Sequence, residues 1–276
     1  MTTHVRDSLA VFALVALWFV TQLLFLGGLS EARAQEVLYG NLRSSFAAET
    51  GATGGQIAEG RPVALLSIPR LGIQQVVLEG TASGDLLSGP GHRPDTPLPG
   101  QEGVSLVYGR AATYGAPFAG ITTLQPGDEI HAETQQGPAT FRVRSVRHAG
   151  DPLPPTPTAG HARLTLVSAA SSGGTWARIT PRTVVYVDAD MVGKAYVADP
   201  GRPVAVPEAE HALRADDTGL PMLVLCLAAV VAVAVGVVVA RSRWSAALVW
   251  VVATPVVLAL AWATTDVAMR LIPNLV

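Results

Sequence analysis

Apolar positions along this chain follow two patterns. Residues 9–29, 220–240 and 246–265 are apolar runs without a charged residue. As helices rising 1.5 Å per residue, each covers roughly 30 Å, the thickness of a bilayer core. They predict three transmembrane helices: an N-terminal anchor over 1–29 and a hairpin of 220–240 and 246–265. Within 62–190 the runs are short, rich in β-branched residues and separated by turn signals. Segments 63–68, 74–78, 103–108, 129–134, 139–147, 163–168 and 183–187 read as strands. In 139–147, Phe141, Val143 and Ser145 alternate with Arg142, Arg144 and Val146, so one face should be solvated. Helix is minor, with a turn or two expected at 84–87 and 117–121. Many short strands with turns between them describe a mainly β domain, a barrel or a sandwich. Residues 30–61 form a membrane-proximal helix and linker, helical over 31–48 and Gly/Ala-rich over 51–60. Residues 191–219 read as a polar stalk.

Composition agrees with this division. The 276 residues are 49% hydrophobic and 14% charged, where a soluble domain carries about 25% charged residues. The basic set is almost entirely arginine, with Lys194 the sole lysine. A formal net charge of −2 gives no basic footprint for nucleic acid, and no nucleic-acid partner is expected. One cysteine, Cys226, allows no intramolecular disulfide. It falls inside the second apolar run, where a thiolate is disfavoured. His131, His148 and His161 are scattered without carboxylates or Cys at ligand spacing, so no metal site or cofactor is expected.

Arg6 precedes the first run, and Arg241 and Arg243 lie in the turn of the hairpin. The positive-inside rule places both on the cytoplasmic side. The expected protein is thus multi-pass in the cell membrane, N-terminus inside and the 62–190 domain outside. A cleaved signal ending Ala32-Arg33-Ala34 is the rival reading of the first run, and it exports the domain equally.

An ordered series of motifs runs through the domain. Ser67-Ile68-Pro69-Arg70-Leu71-Gly72-Ile73 is followed by Val77-Leu78-Glu79-Gly80-Thr81 and Gly89-Pro90-Gly91-His92. Then come Leu98-Pro99-Gly100-Gln101, Thr113-Tyr114-Gly115-Ala116-Pro117-Phe118, Leu124-Gln125-Pro126-Gly127-Asp128, Leu164-Thr165-Leu166 and Arg182-Thr183-Val184-Val185. Over about 125 residues this series resembles the sortases, in particular the class E-like sortases of Gram-positive actinobacteria. The resemblance implies a closed eight-stranded sortase-type β-barrel ectodomain beside the three transmembrane helices. It also implies a cysteine transpeptidase that cuts a Leu-Pro-X-Thr-Gly-type signal, with a Cys nucleophile, a His acid/base and an Arg at the oxyanion.

Two of those three residues are replaced. The family strand ends Leu-Thr-Leu-x-x-Cys, and Leu164-Thr165-Leu166-Val167-Ser168-Ala169 puts alanine at the nucleophile. The family His opens a Gly-His-x-x-Thr-Tyr-Gly pattern, and Gly109-Arg110-Ala111-Ala112-Thr113-Tyr114-Gly115 puts Arg110 there. Arginine stays protonated and cannot act as a base. Arg182 alone matches the third position. Ser168, Ser171 and Ser172 lie beside the lost cysteine but lack a base, and alternation turns Ser168 to the opposite face from Ala169. His92 reads as a structural loop residue.

The expected protein is therefore a sortase-like pseudoenzyme that binds or scaffolds envelope proteins. Two alternatives stand beside it. One is an active sorting transpeptidase with a displaced site, the other a stabiliser of a membrane complex acting through the helical hairpin. Arg110, Arg182 and Tyr114 are the ligand-binding candidates. The two arginines make either a doubly cationic site for a carboxylate or, more simply, a solvated charged rim. Leu153-Pro154-Pro155-Thr156 reads first as a stiff proline-rich connector and second as a sorting-signal mimic filling the groove in cis. Besides the lipid bilayer, a membrane- or surface-protein partner is expected at the barrel groove or at the face of Ala228, Ala232, Gly236 and Ala240, whose spacing lines up small side chains.

Overall fold

The computed structural model describes residues 17–18, 21–22, 26–170 and 183–276. Among them, helix α1 (Gly27–Ala47) leads into eight strands: β1 (Pro62–Ile68), β2 (Ile73–Glu79), β3 (Gly91–His92), β4 (Gly103–Tyr108), β5 (Glu129–Thr134), β6 (Gly137–His148), β7 (Ala162–Ala170) and β8 (Thr183–Met191). Helices α2 (Leu220–Arg241) and α3 (Ala246–Arg270) follow. The chain divides into two compact units. One comprises Met1–Gln22 with Asp216–Ile272, the other Leu23–Ala215 with Pro273–Val276.

The strands close into a barrel in the order β1-β2-β3-β4-β7-β8-β6-β5. Neighbours pair antiparallel except β2 with β3 and β4 with β7, which run parallel. Closure removes the open edges that a half-buried sheet would otherwise present. The interior is filled by alternate residues of the strands, among them Leu66, Ile68, Val107, Phe141, Leu164, Leu166 and Val187. Each such side chain contributes about 1.5–3 kcal/mol on burial.

The strand readings fall close to the observed elements, and β3 is the one they miss. Two residues carry no periodicity, and β3 exists because it bridges β2 and β4. Gly91 is required there, since a Cβ would overlap the carbonyl oxygen of Gly80. In β6, Phe141 and Val143 are buried while Arg142 and Arg144 are exposed, as the alternation demands. The pattern blurs after Val143, where the register against β8 shifts between Val143 and Ser145. The 3₁₀ turn in the 117–123 region falls at Ile121–Thr123, later than expected, and another occupies Asp85–Leu87.

Residues 191–219 are not a free stalk. Tyr196 bridges to Gln101 and Asp199 to Gly54, so both linkers lie along the barrel. Arg202 reaches inward: its guanidinium donates to the Thr96 carbonyl at 3.1 Å and to Glu79 Oε1 at 2.7 Å. Glu79 Oε2 lies 2.9 Å from Nδ1 of His92, and both side chains are buried. His92, expected in a loop, lies in β3, with its Nε2 held at 2.9 Å from the Pro97 carbonyl.

In the other unit, α2 and α3 are two helices long and apolar enough to cross a membrane, with mean hydropathies of 3.1 and 2.0 over an 18-residue stretch within Asp217–Arg241 and within Ala247–Arg270. Two candidate spans are thus described where three were expected. Most of the first, 9–29, lies outside the described residues. Its described part touches α3, with Trp18 Nε1 donating to Thr265 Oγ1 at 3.1 Å. Pro255 is accommodated inside α3. Ala228, Ala232 and Gly236 are exposed on α2, while Val233, Val237 and Ala240 are partly covered.

Deleting one member of a buried ion pair strands the other, at about 3–5 kcal/mol. Arg202→Ala should therefore destabilise the barrel by about 3 kcal/mol in denaturant titrations of the detergent-solubilised chain. Arg142→Ala, at an exposed pair with Glu129, should change stability by less than about 1 kcal/mol.

Candidate functional site

The parallel pairing of β4 and β7 brings the site together. Tyr108 lies opposite Val167, and just beyond, Gly109 donates its N–H to the Val167 carbonyl at 3.0 Å. Ser168 answers by donating its hydroxyl to the Gly109 carbonyl at 2.8 Å. The Gly109–Arg110 step and the end of β7 are therefore side by side. Ser168 is fully buried and its hydroxyl is occupied in this bond.

After Gly109 the chain turns sharply. Tyr114, Gly115 and Ala116 all have positive φ, at 49°, 74° and 45°. Such values cost non-glycine residues free energy and persist only where surroundings fix them. At Gly115 a Cβ would meet the Glu31 carboxylate of α1. Glu31 is buried, and its Oε1 has no hydrogen-bond partner. Desolvation pushes its carboxyl up from 4.5 to about 7, offset in part by a hydrogen bond with Gln75.

Arg110 is 1% exposed. Its Nη2 donates to the Ser83 carbonyl at 2.9 Å and to Ser83 Oγ at 2.8 Å. Its Nη1 donates to Thr113 Oγ1 at 3.1 Å and to the backbone oxygen of Val276 at 2.9 Å. The guanidinium carbon lies 5.7 Å from the centre of the Tyr114 ring, itself buried. Desolvation pulls the Arg110 pKa down to about 10, so it remains a cation at neutral pH. The simpler expectation of a solvated charged rim is thus overturned at Arg110: the charge is sealed in by Ser83, Thr113, Tyr114 and Val276.

Ala169 faces the other way from Ser168. Its methyl belongs to a second apolar cluster with Leu86, Tyr108, Val167, Val184 and Leu275, against which Ala212 and Leu213 pack. All nine residues of β7 are buried: this cluster covers Val167 and Ala169 on the outer face, while Arg163 and Thr165 bond to Asp190 and Asp188. The cover comes from far along the chain. Ala111 donates its N–H to the Leu275 carbonyl at 3.0 Å, and Thr113 Oγ1 donates to the Val276 oxygen at 2.6 Å. Asn274 donates its amide to the carbonyls of Thr81 at 2.7 Å and His211 at 2.9 Å. Beside it, buried Glu210 accepts from the Thr81 backbone N–H and, at 2.5 Å, from Thr81 Oγ1. Its pKa is raised by burial.

Residues 66–190 match the family model of the sortase domain. The chain carries a sortase domain. The solved structures similar to it include a class D sortase transpeptidase of Clostridium perfringens, at 20% identity and TM-score 0.47, covering 59% of this chain and 99% of that one. They also include sortase E1 of Streptomyces coelicolor with a tripeptide in its active site, at 22% identity and TM-score 0.41, covering 54% and 96%. A lid mutant of sortase A from Corynebacterium diphtheriae matches at 17% identity and TM-score 0.43, covering 59% and 95%. No curated protein matches in sequence.

Of the residues singled out in the sequence, the sortase barrel brings Arg110, Tyr114 and Ala169 into one neighbourhood. Arg182, Ser171 and Ser172 lie outside the described residues. The Leu153–Thr156 stretch does not fill the groove at Ala169. Leu153 is 78% exposed, and Pro155 and Thr156 line a pocket with Arg163 and Asp190 at the opposite end of β7. The Pro155 carbonyl accepts from Arg163 Nη1 at 2.7 Å, so the loop is held at that end. Pro273–Val276 stands at the groove instead. No local signal in the sequence marks this segment, because its partners Thr81, Arg110, Ala111 and Thr113 are more than 160 positions away.

The Glu31 shift fixes the sign of a pH effect. A carboxyl whose native pKa lies above its unfolded value makes the native state bind the extra proton. That contribution is fully present below about 4.5 and is lost as pH rises through about 7. Glu31→Gln should therefore raise the melting temperature at pH 8 and leave it little changed at pH 4, flattening the wild-type decline over that range.

Proposed function

We propose that this sortase-family protein is a non-catalytic member, binding or scaffolding envelope proteins at the outer face of the cell membrane. The observation that carries the reading is the pair at the groove. A methyl group at Ala169 cannot form a thioacyl intermediate, and a sealed guanidinium at Arg110 can neither take up a proton nor reach solvent. Ser168 offers no substitute nucleophile, since its hydroxyl points into the barrel and is bonded to Gly109. Buried Arg110 and Tyr114 form the head of a binding groove, with Arg182 assigned to it from its sequence position.

Membrane attachment follows the apolar runs. Ala215 and Pro273 both belong to the barrel unit, which supports a hairpin of α2 and α3 that enters and leaves the bilayer on the barrel side. Arg241 and Arg243 at its turn then lie in the cytoplasm, and 9–29 supplies a third span with the N-terminus inside.

One observation favours a second reading, a stabiliser of a membrane complex. Ala228, Ala232 and Gly236 are exposed on α2, and a Cβ at Gly236 would meet nothing. Such a small-residue face allows close approach by another helix.

The test is acyl transfer. Incubating the detergent-solubilised chain with a Leu-Pro-X-Thr-Gly-type peptide should give no cleavage and no covalent adduct by intact mass. Turnover would overturn the non-catalytic reading. In native pull-downs, Gly236→Leu should leave a groove-bound partner in place and release one held by the hairpin.

A further inference from the structure

The strongest unassigned feature is the four-residue segment at the groove. Pro273–Val276 belongs to the barrel unit although it follows α3 in the chain. It adds no strand to the barrel. Its bonds go to the loops that rim the groove: Asn274 to Thr81, His211 and Arg214, Leu275 to Ala111, and Val276 to Arg110 and Thr113. Leu275 is fully buried against the cluster that contains Ala169.

We propose that Pro273–Val276 is an exchangeable ligand carried in cis, and that the groove takes in trans an extended peptide of the same chemistry. This deepens the reading of the barrel as a binding module and rests on it. The recognised elements are a carboxamide at the Thr81 and His211 carbonyls, a leucine-sized side chain over Ala169, and a carbonyl or carboxylate oxygen at Arg110 and Thr113.

Three features favour exchange over permanent packing. The contacts are directional: six hydrogen bonds join Asn274, Leu275 and Val276 to Thr81, Arg110, Ala111, Thr113, His211 and Arg214, all outside the strands. The fit is also incomplete, since Arg110 Nε and Asn274 Oδ1 are buried without hydrogen-bond partners. An unpaired buried donor is costly, so an occupant that also accepted from Arg110 Nε would compete well. Finally, the replacement of a nucleophile position by alanine makes room on the groove floor for an apolar side chain, and Leu275 is seated in that cluster.

The experiment uses the full chain in detergent and a fluorescein-labelled Pro-Asn-Leu-Val peptide, as the free acid and as the C-terminal amide. Leu275→Asp should expel the segment, because a carboxylate cannot enter the apolar cluster. Fluorescence anisotropy should then show saturable peptide binding at least tenfold tighter than to the wild type. Adding Arg110→Gln should weaken it at least tenfold. Preference for the acid would assign carboxylate recognition at Arg110, and equal binding carbonyl recognition; both support the proposal. Binding no tighter than to the wild type, or unaffected by Arg110→Gln, would overturn it.

Should Leu275→Asp fail to fold, a specific protease site inserted between Ile272 and Pro273 allows the segment to be cut after folding. The freed segment should then exchange with the labelled peptide, and a failure to exchange would overturn the proposal. Cleavage of a sorting peptide by the same preparation would refute the non-catalytic reading separately, since it is read as a new product and not as anisotropy.

Discussion

A guanidinium shut away from water must find acceptors for its donors, and the groove of this barrel is organised around that requirement at Arg110. Ser83 supplies two oxygens from the loop after β2, Thr113 one from the turn after β4, and Val276 one from the far end of the sequence. Without them a buried cation would be prohibitively costly. The bonds therefore fix the loop geometry as much as the loops fix the bonds. The three positive-φ residues at 114–116 are held in place between this cluster and Glu31 of α1.

The same arrangement covers the end of β7 with apolar side chains. A sortase needs an open groove with a thiolate at its floor. Here the corresponding strand end carries a methyl group and is roofed by Leu86, Leu275 and Leu213. The groove retains two properties suited to peptides, an apolar floor and directional donors at one end. The proposed loss of chemistry and the retained shape are compatible because they depend on different atoms: the first on two side chains, the second on a closed ladder of backbone bonds.

Charge is handled in the same manner elsewhere in the barrel. Glu79 and His92 are buried at the β2–β3 junction, and Arg202 reaches in from the segment after β8 to pair with Glu79. Glu210, buried beside Thr81, ties the next stretch of that segment to the rim of the groove. Residues 196–214 thus clamp the barrel by polar contacts, which a reading of their low hydropathy alone describes as a loose stalk.

The sequence by itself determined the elements and the residue types on which the proposed loss of chemistry rests. Period-two alternation in β6, the apolar runs of β4 and β7 and the ordered turn motifs specify strands, since facing the core imposes that spacing locally. Runs 220–240 and 246–265 specify helices by length and lack of charge. Ala169 and Arg110 are legible by residue type, a methyl and a guanidinium, and the proposal of a non-catalytic protein starts from them. Only the tertiary structure decided that Arg110 is sealed instead of solvated, that β3 exists, and that Asn274, Leu275 and Val276 stand in the groove where Leu153–Thr156 was the candidate. Each of these depends on contacts between residues remote in the chain. Local pattern records which face of an element is apolar, but not which distant segment will cover it.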